Sequence, residues 1–82
     1  MQAPEPLEEA LRTFLCNELG LESQQLARDS ELVTSGLIDS ADLVLLATFL
    51  ERRAGISIPD QDINADHFDT IEKILGYVEE RR

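Results

Sequence analysis

Three stretches of this chain repeat their apolar residues at helical spacing, and no stretch alternates them as a half-buried strand does. They predict helices from about Glu5 to Leu19, from about Ser40 to Ala54, and from Asp69 or Thr70 onward. A short further helix is predicted at roughly Asp62 to Asp66. Eighty-two residues suit a single domain. The sequence therefore predicts one all-α domain over residues 1–82, a bundle of three main helices and one short helix.

The apolar residues of each main helix share one face, and these faces are the predicted core. In chain order they are Leu7, Ala10, Leu11, Phe14 and Leu15; Leu43, Leu46, Ala47, Leu50 and Ala54; and Ile71, Ile74, Leu75 and Val78, with Phe68 packed just before the last helix. Pro4 or Pro6 suits the first turn of the first helix. Gly20 and Gly55 suit the ends of the first two helices. The segment Ile56–Pro59 reads as a short extended connector.

A long loop from about Leu21 to Asp39 separates the first two helices, and a structureless loop of that length is unusual. It contains scattered apolar residues without helical or strand period: Leu21, Leu26, Leu32, Leu37 and Ile38. We expect these side chains to pin the loop across the helices. Its C-terminal end would then deliver a functional site to the start of the second helix.

The formal net charge of −10 argues against binding to nucleic acid or to anionic lipid surfaces, because both need Lys and Arg. It favours basic partner surfaces, although acidity that only maintains solubility would look the same. No apolar run approaches the roughly 20 residues that span a bilayer. The first six residues lack the features of a signal peptide. Cys16 is the single cysteine, so no intrachain disulfide can form and a cytoplasmic location is expected.

The pair Asp39-Ser40 lies where the loop ends and the second helix begins. Taken alone, it favours a plain structural role, because serine is among the best helix N-caps. The wider arrangement favours a functional role. A first helix, a long loop, Asp-Ser, an apolar second helix, Ile-Pro-Asp and then Phe-x-Thr follow one another in order.

This ordered set resembles acyl and peptidyl carrier proteins, and the resemblance extends from about Leu7 to Val78. The residues that carry it are Leu19-Gly20, Leu32, Gly36, Asp39-Ser40, Asp42, Val44, Leu46, Leu50-Glu51, Gly55-Ile56, Ile58-Pro59-Asp60, Phe68, Thr70 and Tyr77-Val78. The resemblance implies a monomeric carrier that is not itself an enzyme. A phosphopantetheinyl transferase would attach the 4′-phosphopantetheine arm of coenzyme A to Ser40. Asp39 and Asp42 would be recognised by that transferase.

The resemblance also implies the other partners. An adenylating ligase or acyltransferase would load the thiol of the arm, and downstream tailoring or condensing enzymes would act on the thioester-bound cargo. Serine at a helix N-terminus suits this role, because the phosphodiester would lie over free backbone N–H groups.

The surface of the second helix departs from the usual pattern of fatty-acid carriers. The residue after the serine is usually Leu or Met and here is Ala41, and the fifth residue after it is often acidic and here is Leu45. Helical phase places the predicted partner-recognition face opposite the core, on Ala41, Leu45, Thr48 and Arg52 with Val44 at its flank. We therefore expect a free-standing carrier of specialised, polyketide-type or nonribosomal-peptide-type metabolism, although drift on a tolerant surface would give the same pattern.

Two other classes of protein are alternatives. One is a small acidic helical interaction module in which Ser40 is only an N-cap. The other is a small hydrolase built on Ser40, which is disfavoured because no nucleophile-elbow glycines surround that serine.

Three further features carry little functional signal. The run Asp60-x-Asp62-x-Asn64-x-Asp66 imitates an EF-hand but lacks the glycine and the glutamate that the loop needs at its sixth and twelfth positions. His67 is the only histidine and cannot make a standard zinc site with one cysteine. Cys16 is predicted on the polar side of the first helix, as an incidental thiol.

Overall fold

The computed structural model describes residues 7–82 and contains four α-helices and two short 3₁₀ helices in that range. The helices are α1 (Leu7–Glu18), α2 (Ser40–Ala54), α3 (Ala65–Phe68) and α4 (Ile71–Arg81), and the 3₁₀ helices are Ser23–Gln25 and Asp60–Asp62. Residues 7–82 contain no strand, so the all-α prediction is confirmed. The predicted helix start at Glu5, with Pro4 or Pro6 in the first turn, lies outside the described residues. None of the helices within residues 7–82 is long and apolar enough to cross a bilayer.

Local sequence accounts for the ends of α2 and α4 where they were predicted. Gly55 follows α2 with φ +70°, and its backbone N–H donates to the carbonyl oxygen of Glu51 at 3.0 Å. A residue with a side chain would be strained in that left-handed conformation. Thr70 is the N-cap of α4, and its hydroxyl oxygen accepts a hydrogen bond from the backbone N–H of Lys73 at 3.0 Å.

The short third helix does not have the predicted bounds. It was expected at Asp62 to Asp66, whereas Asp60–Asp62 is a separate 3₁₀ turn and α3 covers Ala65–Phe68. Asn64 is the reason for the break, because its side chain caps α3 by accepting from the backbone N–H of His67 at 3.2 Å. Asparagine is a strong N-cap and a weaker residue inside a helix, so it starts a helix here.

One core combines all four α-helices with the loop. Its buried members are Leu11, Leu15, Leu21, Leu26, Leu32, Ile38, Leu43, Leu46, Ala47, Leu50, Ile58, Phe68, Ile71, Ile74, Tyr77 and Val78. On α4 the predicted stripe needs one change, because Tyr77 is buried whereas Leu75 is half-buried. Tyr77 packs edge-on against Phe68 with ring centroids 5.1 Å apart. Its hydroxyl donates to Asp62 Oδ2 at 2.7 Å, which allows a buried tyrosine.

On α1 the predicted core face is only partly buried. Leu11 and Leu15 are buried, whereas Leu7 and Phe14 are half-buried. The prediction for Cys16 is wrong, since this residue is half-buried against the core rather than on the polar face. The core wraps further around α1 than its apolar stripe indicated, because the following loop also packs there.

The loop between α1 and α2 is pinned as predicted but is not structureless. Four of its five apolar side chains are buried and Leu37 is half-buried, and Ser23–Gln25 forms a 3₁₀ turn. Arg12 of α1 donates to the carbonyl oxygen of Leu26. The backbone N–H of Glu72 in α4 donates to the carbonyl oxygen of Arg28 at 3.1 Å. The loop is therefore fastened to both helices by its backbone as well as by its apolar side chains.

Candidate functional site

The first turn of α2 is held by two aspartates that cap each other's backbone. Asp39 is the N-cap residue, and its Oδ1 accepts a hydrogen bond from the backbone N–H of Asp42 at 2.9 Å. Asp42 Oδ2 accepts in turn from the backbone N–H of Asp39 at 3.2 Å. Both carboxylates also lie near the positive end of the helix dipole, which stabilises negative charge there. The interpretation of Ser40 as the N-cap is therefore wrong, because Asp39 fills that position.

Ser40 is the first helical residue and is exposed. Within residues 7–82 its hydroxyl makes no hydrogen bond, so it is free to react. The first N–H groups of an α-helix have no partner inside the helix, and here Asp39 takes up only that of Asp42. The backbone N–H groups of Ser40 and Ala41 remain as donors at the same helix end. An exposed hydroxyl beside free N–H donors is suited to carrying an anionic group.

The end of the long loop fixes where this turn lies. The backbone N–H of Ile38 donates to the carbonyl oxygen of Leu32 at 3.0 Å, which closes a compact turn just before Asp39. Gly36 lies within that turn at φ +87°, a conformation that favours glycine. Both Leu32 and Ile38 are buried. The position of Ser40 is thus set by a segment that is itself packed into the core.

Asp69, at the junction of α3 and α4, anchors this loop. It is the one buried polar or charged residue among residues 7–82, with 7% of its surface exposed. Its Oδ1 accepts from the backbone N–H groups of Val33 and Thr34, each at 2.9 Å. Its Oδ2 accepts from the hydroxyl of Thr34 at 2.8 Å, and its backbone carbonyl accepts from the N–H of Leu32 at 2.6 Å. These four bonds attach the loop that carries the site to the junction of α3 and α4.

These bonds lower the pKa of Asp69 below its ordinary value. The backbone N–H of Thr34 contributes most, followed among the lowering contacts by the Thr34 hydroxyl and the N–H of Val33, while burial opposes them. The sequence predicted Asp69 only as a possible start of the last helix. Its partners lie 35 and 36 positions away, and no local spacing could have indicated them.

Replacing Asp69 by Asn should destabilise the fold by about 1–3 kcal/mol at pH 7, because the charged acceptor of three part-buried hydrogen bonds is lost. A lowered folded-state pKa gives stability that is present above the unfolded pKa of about 3.9 and is lost as pH falls through the folded value. The difference in unfolding free energy between parent and Asp69→Asn should therefore shrink on acidification from pH 7 to pH 3. Urea melts at both pH values measure it, and an unchanged difference would contradict the ionised role of Asp69.

The outward face of α2 lies where helical phase placed it. Ala41, Val44, Leu45, Thr48 and Arg52 are all exposed. Val44 and Leu45 stand out as the exposed large hydrophobic residues of the described chain, at 54% and 53%. The predicted partner-recognition residues thus share one accessible surface next to Ser40. Their role in recognition stays a prediction.

The EF-hand-like run and His67 make contacts within the fold. Asp62, in the EF-hand-like run, accepts from the Tyr77 hydroxyl and pairs with Arg81 at 2.9 Å. His67 Nδ1 lies 3.0 Å from Asn64 Oδ1. Over residues 7–82 no group of three or more His, Cys, Asp and Glu side chains is placed to hold a metal ion.

A family model and a protein of known name are both similar to this chain over most of its length. The family described as Phosphopantetheine attachment site matches residues 9–78. A protein of Akkermansia muciniphila named Acyl carrier protein is 27% identical over 73 residues, which cover 89% of each chain. The family match spans both the loop and the first turn of α2 described above.

Proposed function

This chain belongs to the phosphopantetheine-attachment family, and from that premise we propose that Ser40 is the residue that bears the arm. Proteins of this family are carriers rather than enzymes, and they hold 4′-phosphopantetheine covalently. The arm ends in a thiol, which binds the cargo as a thioester. The protein itself supplies an attachment point and a surface that partner enzymes recognise.

One observation supports the assignment above all others: Ser40 is an exposed serine at the N-terminus of a long helix, and its hydroxyl makes no hydrogen bond to any of residues 7–82. Its neighbour Asp39 has the capping role, so modification of the hydroxyl would break no hydrogen bond within the described part of the chain. The free N–H groups of the same turn would solvate the phosphodiester. The anchored loop would keep this group in one place while the arm moves.

The finer proposal is a free-standing carrier for an acyl or aminoacyl cargo in specialised metabolism, acting in the cytoplasm. The apolar, non-acidic face formed by Ala41, Val44 and Leu45 supports it, because that surface departs from the acidic one of many fatty-acid carriers. Its partners would be a phosphopantetheinyl transferase, then an adenylating ligase or acyltransferase, then tailoring or condensing enzymes.

Intact-mass analysis tests both levels of this proposal. The purified chain, incubated with coenzyme A and a broad-specificity transferase, should gain the mass of one phosphopantetheine. The product is then offered to a panel of fatty-acyl and aminoacyl adenylating enzymes. A thioester formed only with the fatty-acid enzymes of primary metabolism would contradict the finer proposal, and no mass gain at all would favour the interaction module.

Substitutions at Asp39 and Asp42 can separate the effect of negative charge on modification from its effect on the stability of the fold. Asp39→Asn should change the melting temperature little, because asparagine caps a helix about as well as aspartate. Asp42→Asn should also change it little, because the amide oxygen of asparagine can still accept from the backbone N–H of Asp39. Both should slow modification by the transferase, because each removes a negative charge beside Ser40. The parent rate should fall as salt rises, since screening weakens exposed charges. Initial rates at low and high salt measure this, and parent-like rates in both variants would contradict the recognition role.

A further inference from the structure

An open groove lies between α1 and α2, and we propose that it receives an amphipathic helix of a partner enzyme. The groove has a volume of about 660 Å³, and among residues 7–82 its lining comes from α1 and α2. We name it the α1–α2 groove. The proposal rests on the proposed function only in that partner enzymes must approach Ser40.

The α2 wall is a continuous stripe on the helix. Leu45, Thr48, Phe49 and Arg52 line the groove at the spacing i, i+3, i+4 and i+7, which places them on one face. This stripe overlaps the exposed recognition face at three of its four positions. The groove is therefore continuous with the recognition face of α2, and a partner bound to that face could reach into it.

The α1 wall repeats the pattern. Ala10, Thr13, Phe14 and Asn17 line the groove at the same i, i+3, i+4 and i+7 spacing. Between the walls, Phe14 stacks on Phe49 with ring centroids 4.5 Å apart and planes 19° from parallel. Both rings are only half-buried. Two helical stripes with an apolar floor make a groove of the kind that accepts the apolar face of a third helix.

The charges along α2 indicate how the charged residues of the partner helix should be distributed along its length. Arg52 is the last residue of the α2 stripe that lines the groove, and it puts a positive charge at the end of the stripe away from Ser40, in a chain of net charge −10. Asp39 and Asp42 give the other end of α2 the opposite sign. Ten residues separate Asp42 from Arg52, which is about 15 Å along a helix. The matching helix would place basic residues toward Ser40 and an acidic residue beside Arg52.

Three synthetic peptides of about 20 residues, long enough to form helix alone, can probe this surface. The mixed peptide has an apolar stripe with lysines on one half and glutamates on the other. The basic peptide has the same stripe with lysines on both halves. The third peptide is the mixed one with its apolar stripe replaced by glutamine. Each is titrated into ¹⁵N-labelled Ser40→Ala protein, so that the result does not depend on the arm.

The mixed peptide should shift the amide signals of the two groove walls, and the glutamine peptide should not. Arg52→Glu should raise the Kd of the mixed peptide about threefold and lower the Kd of the basic peptide about threefold. This is the size expected for one exposed charge pair. Arg82→Glu is the matched control, since it makes the same change of net charge outside the groove. Leu45→Ser, at a largely exposed position, should weaken the binding of the mixed and the basic peptide, which both have the apolar stripe, without unfolding the chain.

Several outcomes would overturn the proposal. Equal effects of Arg52→Glu and Arg82→Glu would mean that net charge alone governs binding. Shifts confined to residues outside the groove would place the partner elsewhere. Sedimentation of the chain alone should show a monomer, and self-association abolished by Leu45→Ser would make a second copy the occupant. Failure of Ser40 to accept the arm would leave all these readouts unaffected.

Discussion

Ser40→Ala should abolish the mass gain from the transferase reaction completely while leaving the fold intact. The reaction has no substitute nucleophile if Ser40 is the attachment point, so the expected effect is total loss rather than a slower rate. Stability should change by less than about 0.5 kcal/mol, because Ser40 is the first helical residue and Asp39 retains the cap. Alanine is also a good helix former at that position.

The matched control is Ser57→Ala, at an exposed serine in the connector after α2. It should be modified like the parent. Intact mass after incubation with coenzyme A and transferase, together with a thermal melt of each variant, gives the comparison. Modification of a folded Ser40→Ala chain would assign the arm to another residue, and an unfolded Ser40→Ala chain would show that Ser40 has a structural role.

Local chemistry made much of this fold predictable. The stripe of Leu43, Leu46, Ala47 and Leu50 required only the helical period, and Thr70 and Gly55 mark their helix ends by their own side-chain and backbone preferences. The exposed position of Leu45 followed from the same period. The candidate site at Ser40 followed from the order of motifs along the chain and not from the Asp-Ser pair alone.

Features that depend on distant contacts were not predictable. The loop-anchoring role of Asp69 depends on Val33 and Thr34, and the burial of Tyr77 depends on a bond to Asp62. The α1–α2 groove contains a stacked pair, Phe14 and Phe49, from helices that are far apart in sequence. In each case the sequence specifies the residues, whereas only the tertiary arrangement specifies their pairing.

Leu45 and Leu46 are adjacent and chemically identical, but one is exposed and the other is buried. Substitutions at the two positions therefore test which face of α2 stabilises the fold and which is available to partners. Leu46 is 0% exposed and belongs to the core, whereas Leu45 is 53% exposed. Leu46→Ala should cost about 2–5 kcal/mol of unfolding free energy, from lost apolar burial and the cavity left behind. Leu45→Ala should cost well under about 1 kcal/mol, as surface changes do.

A charge at Leu45 separates stability from recognition. Leu45→Glu should keep a melting temperature close to the parent's, because the side chain can extend into water from its exposed position. It should impair loading or downstream transfer, since the apolar face next to Ser40 would carry a negative charge. One thermal melt and one loading assay per variant provide the data. The same helix contributes to the core and presents Ser40 to partners. If Leu45→Glu unfolds the protein, the face that contains Leu45 is buried, and partners must approach Ser40 from another side.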